Sequence, residues 1–195
     1  MEKEIQKKIQ WSKIDKHLVF GRQMEVYKIV KFLSDNQLSA KRVLVMKGSQ
    51  GAGCKEIGKQ AMTYVFNRHL FKDGAYSIKL DGFNQEDVMS SIIRKMRLPI
   101  YDNDMLGLIQ YIKDNPNIVI QFQIVDAMDE EQKKSLMGAL EDLIENTDNL
   151  KILCAIDADL EFDKSLLLDG FDLMPIGSME PKDAMKLMFD INKTY

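Results

Sequence analysis

The sequence predicts an α/β fold, a three-layer sandwich built on a five-stranded parallel sheet, and three observations lead there. Five short apolar runs recur through the chain, at Val43–Met46, Ala75–Leu80, Ile118–Val125, Lys151–Ile156 and Phe171–Ile176. Amphipathic helical patterns stand between them, so each strand reaches the next through a crossover, which makes neighbours parallel and covers both faces of the sheet. Finally, 195 residues with 45% hydrophobic content suit one globular domain with a buried core.

Taken in order, residues 1–17 form an arm or entry helix in which Ile5, Ile9 and Trp11 stand among charged residues; residues 18–195 form the main domain. The arm either folds back on this domain or contacts a neighbour. His17 to Arg22 makes a short turn, and an amphipathic helix follows through Met24, Tyr27, Val30 and Leu33. A polar connector, Asn36 to Lys41, leads into the first strand. Beyond it, Ile57, Ala61, Met62, Val65 and Phe66 mark one face of a helix whose first turn is Cys54 to Ile57. Gly74 punctuates before the second strand. Asn84 offers a cap for a helix carrying Val88, Ile92 and Met96 inward, and Pro99 ends it. Asp104 caps a helix through Leu106, Ile109 and Ile112, after which Asn115-Pro116-Asn117 turns the chain into the third strand. Asp129 begins a long helix with Leu136, Leu140 and Leu143 on one face, and Ser178, Glu180 and Pro181 open a terminal helix through Met185 and Phe189.

A net charge of −3 gives no electrostatic reason to expect nucleic acid or an anionic membrane as partner. No apolar run approaches the roughly 20 residues of a membrane span, and the first residues lack a secretory core, so a cytoplasmic protein is expected. Cys54 and Cys154, far apart and without C-x-x-C spacing, read as free thiols; with two histidines they make a poor metal inventory.

The stretch after the first strand, Gly48-Ser-Gln-Gly51-Ala-Gly53-Cys54-Lys55-Glu56, has the glycine spacing of a phosphate loop. In the pattern G-x-x-x-x-G-K-[ST], backbone N–H groups converge on phosphate, the Lys reaches the outer phosphates and the hydroxyl holds magnesium. Here Cys54 stands at the Lys position and Lys55 at the Ser/Thr position, with Glu56 following. The cradle is kept while its chemistry is removed. One helical step turns a side chain by about 100°, so Lys55 leaves the loop on another face and is a poor substitute. The same glycines would also serve a tight strand-to-helix turn that binds nothing.

The order Val19-Phe20-Gly21-Arg22, the glycine loop, Phe71 to Leu80, and Leu173-Met-Pro-Ile176 followed by Glu180 and Ala184 to Phe189 resembles the nucleotide-binding domain of STAND-class P-loop NTPases of NB-ARC type. The resemblance covers most of residues 18–190. It implies a P-loop fold with a five-stranded parallel sheet and a switch that ADP holds closed and ATP releases for assembly, with slow or absent hydrolysis. It also implies an adenine pocket near Phe20, Gly21 and Arg22, with Gly48, Gly51, Gly53, Cys54, Lys55 and Glu56 around the phosphates.

Where the family does chemistry, this chain departs from the pattern. The acidic end of the Walker B strand falls in Ile118 to Gln123, where Phe122 and Gln123 replace the acids; a longer strand through Val125 would bring Asp126 there instead. The family's sensor Arg aligns with Ile156 or Asp157, and a carboxylate there repels phosphate. A hydrogen bond to a charged group contributes about 1.5 to 3 kcal/mol, so losing the Lys and the sensor Arg weakens triphosphate binding by roughly two to four decades.

Other residues carry second readings. Cys54 at a helix N-terminus would favour a thiolate and a redox role if exposed, and is otherwise a filler. Asp157 and Asp159 form either an acid–base pair or a solvated loop. Met128, Met137, Met174, Met179, Met185 and Met188 mark an adaptable surface or, more commonly at helical spacing, core packing. Together these readings lead to a pseudo-NTPase, not an enzyme, used as a protein-interaction or assembly module. Its partner is another protein or a second copy, and it requires no cofactor, with ADP or ATP held weakly. The alternative is an ADP/ATP-binding switch with little or no hydrolysis.

Overall fold

A computed structural model describes residues 21–35, 41–80, 88–96, 105–124, 129–156 and 170–194. The arm with Ile5, Ile9 and Trp11, the turn residue Phe20, the caps Asn84 and Asp104, and Pro99, Asp126, Met128, Asp157 and Asp159 lie outside the described residues.

Five strands, β1 (Val43–Gly48), β2 (Gly74–Leu80), β3 (Ile118–Ile124), β4 (Lys151–Ile156) and β5 (Phe171–Ile176), make one sheet in the order β2-β3-β4-β1-β5. Every neighbouring pair is parallel. The fold class is the one expected from the sequence, a P-loop NTPase-like α/β fold. The helices are α1 (Gln23–Ser34), α2 (Cys54–Asn67), α3 (Val88–Met96), α4 (Met105–Asp114), α5 (Glu130–Glu145) and α6 (Pro181–Thr194).

Strand alternation divides the interior in two. Ile118, Ile120, Phe122 and Ile124 face one layer, packing in a cluster with Ile92, Leu108, Ile112, Leu136 and Leu140 from α3, α4 and α5. On the other face Val119 joins Leu44, Met46, Ile57, Ala61, Val65, Ile29 and Leu33, supplied by β1, α2 and α1. Asp129 starts α5 as expected: its carboxylate accepts from the Gln132 backbone N–H at 2.8 Å, while the Gln132 side chain accepts from the Asp129 N–H at 3.1 Å. This reciprocal box satisfies two donors that a helix start leaves open. At the far end of α5, Arg42 donates to the carbonyls of Ile144 and Thr147, tying that helix to the entry of β1.

Three helix faces differ from expectation. In α1 the buried residues are Ile29 and Leu33, whereas Met24 and Tyr27 are 63% and 59% exposed. In α4, Ile109 and Ile112 are buried as expected together with Leu108, and Leu106 alone of the expected stripe is exposed. In α6, Met185, Met188 and Phe189 are exposed instead of packed, while Met137 of α5 is buried as core. A periodic apolar stripe fixes that a helix is amphipathic; the neighbours present decide how much of the stripe is covered.

Candidate phosphate loop

β1 delivers the chain to Gly48 at the carboxyl end of the sheet, where open α/β folds place their ligands. Ala52 N–H donates to the Ser49 carbonyl at 2.9 Å, and α2 opens with Gly53 as its N-cap and the Ile57 N–H on the Gly53 carbonyl at 3.0 Å. Gly51 and Gly53 have φ of +84° and +86° with open space around them. Here conformation rather than crowding demands glycine. Gly48 shows the opposite constraint: a Cβ there would lie 2.6 Å from the Ala52 Cβ, 2.9 Å from the Cys54 Sγ and 3.1 Å from the Ile176 carbonyl oxygen. The loop therefore closes tightly over the end of β1. Its outer side meets the positive end of the α2 dipole.

Cys54, at the position of the missing Lys, is fully buried, its Sγ lying over Gly48. The thiol forms part of the floor of the loop, and full burial removes the accessibility that a redox role requires. Lys55 is half-buried, and Glu56 pairs with Lys59 at 3.1 Å, so a cation already lies beside its carboxylate.

Arg22 is 6% exposed and spends its donors on the protein itself. One terminal nitrogen donates to Glu25 Oε1 at 3.0 Å, and the other to the carbonyls of Gly177 at 2.7 Å and Ala52 at 3.3 Å. It braces the loop against the segment between β5 and α6. Its Nε is buried and has no hydrogen-bond partner among the described residues. Gly21, at φ +70°, sits against Asp183 of α6, whose Oδ2 a Cβ would approach to 2.5 Å.

β3 sends Phe122 and Gln123, the residues expected at the acidic positions, to opposite faces. Phe122 points away from the loop layer into the cluster under α3, α4 and α5, whereas Gln123 alternates to the α2 side. Asp129 is engaged as the cap of α5. Two residues of this layer carry no sequence-based expectation, Ser77 and Gln121. Gln123 Nε2 donates to Ser77 Oγ at 2.5 Å, and Ser77 Oγ donates to Gln121 Oε1 at 3.1 Å. Gln121 is fully buried, and its Nε2 has no partner among the described residues. It lies so near α2 that a Cβ on Gly58 would stand 2.3 Å from that nitrogen. The available signal was two glutamines at alternate positions in an otherwise apolar strand.

Among the described residues no group of three or more His, Cys, Asp or Glu could hold a metal ion, and no helix is long and apolar enough to cross a membrane. The left-handed glycines and the helix start have the backbone form that a phosphate group fits, and beside them Cys54 is a buried thiol and Gln123 a neutral amide bonded to Ser77.

No family model matches the chain, and no curated protein matches it in sequence. Solved structures do resemble it. PCH-2 of C. elegans superposes with a TM-score of 0.56 at 16% identity over 93% of this chain. A chain of the E. coli MS115-1 HORMA:CdnC:Trip13 complex gives 0.59 at 9% identity, covering 94% of this chain and 72% of that one. A chain of Drosophila ORC bound to DNA gives 0.52 at 12% identity, covering 81% and 93%. This chain spans 50% of the PCH-2 chain. The matched structures are AAA+ ATPase-like, and at these identities what they share with this chain is a P-loop NTPase-related fold.

Proposed function

We propose that the chain is a degenerate P-loop module, of STAND/NB-ARC type as its motifs suggest, that works through protein contacts rather than nucleotide hydrolysis. The observation that carries this reading is Cys54: the position that should send a cation to the outer phosphates holds a short side chain buried beneath the loop. Gln123 adds to it, since a neutral amide bonded to Ser77 gives magnesium no anionic ligand. The exposed apolar residues of α6, Met185, Met188 and Phe189, supply surface of the kind used in assembly. Complexes such as HORMA:CdnC:Trip13 among the structural neighbours agree with a contact role.

One feature favours a second reading, a diphosphate-binding switch without turnover. Gly51 and Gly53 keep the left-handed backbone of an open cradle, and backbone amides alone can hold a phosphate. The test is the nucleotide content of the purified chain after acid release, read by ion-pair chromatography, together with magnesium-dependent turnover. No bound nucleotide and no turnover are expected. Bound ADP would favour the switch, and turnover that disappears on Gly53→Val would overturn both readings.

A further inference from the structure

A groove of about 410 Å³ runs between α1 and α2, away from the phosphate loop and lined by Gln23, Val26, Tyr27, Val30, Gln60 and Tyr64. Its walls are apolar and aromatic, yet Tyr27 and Tyr64 are 59% and 39% exposed, so the groove is an uncovered face. Two polar features mark it. Gln60 Oε1 is buried and has no hydrogen-bond partner among the described residues, and an amide in that position gains by turning toward any donor that enters. Lys31 also lines the groove, and Arg68 lies over the Tyr64 ring at 4.1 Å. The matching occupant is a flat apolar side chain that carries an N–H donor and has a carboxylate nearby.

We infer that the groove is the seat of the chain's own N-terminal arm, with Trp11 as the anchor. Trp11 is the chain's single tryptophan, and indole is the side chain that combines a large apolar face with a lone N–H donor. Asp15, four residues further on, supplies a carboxylate for Lys31 or Arg68. Reach is sufficient: residues 12–20 span up to about 30 Å when extended, against about 18 Å for the 12 residues of α1. Because the arm leads directly into α1, its own groove sees it at the high effective concentration of a short tether, which favours the same chain over a second copy. The arm's lysines oppose the cations of the rim, so burial of the indole, rather than charge, is the main source of docking. This inference concerns a different face from the loop and does not depend on whether the loop holds nucleotide.

Fluorescence of the full chain excited at the long-wavelength edge, where indole absorbs and phenol does not, reports Trp11, the single tryptophan. Docking predicts blue-shifted emission protected from acrylamide, unchanged on dilution, and shifted to the red with several-fold stronger quenching in Tyr27→Ser and in Tyr64→Ala, each checked as folded by circular dichroism. Solvent-like emission in the wild type would overturn the inference. So would blue-shifted emission that neither substitution changes, which would place Trp11 elsewhere. Emission that moves to the red on dilution, in step with dissociation seen by sedimentation, would assign the groove to a second copy and overturn docking within the chain.

Discussion

The two faces of the sheet are built from the same strands and finished differently. Under α3, α4 and α5, β3 contributes only Ile118, Ile120, Phe122 and Ile124, and the layer closes as an apolar core. Under α1 and α2 the same strand contributes Val119, Gln121 and Gln123. Of the three buried polar side-chain atoms without a partner among the described residues, those on Arg22 and Gln121 lie in this layer and the third, on Gln60, lines the groove between α1 and α2. Buried polar groups are normally satisfied because each orphan costs about 1 to 3 kcal/mol. One face therefore has the composition of a stability core, while the other carries buried polar groups.

If that contrast holds, the largest effect comes from the apolar face. Phe122→Ala should cost about 3 to 5 kcal/mol, since a fully buried aromatic leaves a cavity in a close-packed layer; urea unfolding measures it. A loss below 1 kcal/mol would mean that Phe122 is not in the core. Next in size is Arg22→Met, which leaves the carbonyls of Gly177 and Ala52 without their charged donor. A loss of about 1.5 to 3 kcal/mol is expected, with faster amide exchange in the loop than in α5.

How much was legible in the sequence follows the same division. The strands match their expected positions to within two residues, because short continuous apolar runs bounded by turns are a local signal. Asp129 was readable as the start of a helix, and its reciprocal partner Gln132, three residues on, stands within the same local stretch. Leu33, Ile109 and Ile112 are buried as expected, but the exposed members of the stripes were not legible, since Met24, Leu106 and Phe189 are apolar at helical spacing and only the neighbouring elements leave them exposed. In the loop, the glycine spacing and the cysteine at position 54 stood in the sequence. The bracing role of Arg22 depends on Gly177, 155 positions away, and Ser77 meets Gln121 only through strand pairing. Such partners are set by topology, which a linear pattern does not display.

A third prediction exploits the dryness of the apolar face. Burial holds the Cys154 thiol protonated up to about 12, against 9.0 for an ordinary thiol. Between those values the unfolded chain ionises and the folded one does not, so the unfolded state binds fewer protons and stability falls as pH rises above about 9. The slope from this group rises toward about 1.4 kcal/mol per pH unit as pH passes above about 9. Comparing urea midpoints of wild type and Cys154→Val from about pH 8 to 10 isolates it; equal slopes would mean that the thiol is not sequestered. The smallest effect is expected for Gln121→Met, which keeps the volume and removes an unpaired buried amide nitrogen together with the oxygen that accepts from Ser77. The two changes oppose each other, so its stability should stay within about 1 kcal/mol of wild type, and a loss beyond about 2 kcal/mol in urea unfolding would show that the amide nitrogen is satisfied as well.

The most direct measurement on the loop itself is isothermal titration of wild type and the Cys54→Lys, Lys55→Thr double variant with ADP and with magnesium–ATP. Wild type should bind ATP no more tightly than the millimolar range, with ADP at least as favoured as ATP. The double variant should gain about tenfold or more for ATP, the contribution of one charged hydrogen bond. Micromolar ATP binding by wild type, or no gain in the double variant, would contradict a cradle that has kept its backbone and lost only its side chains.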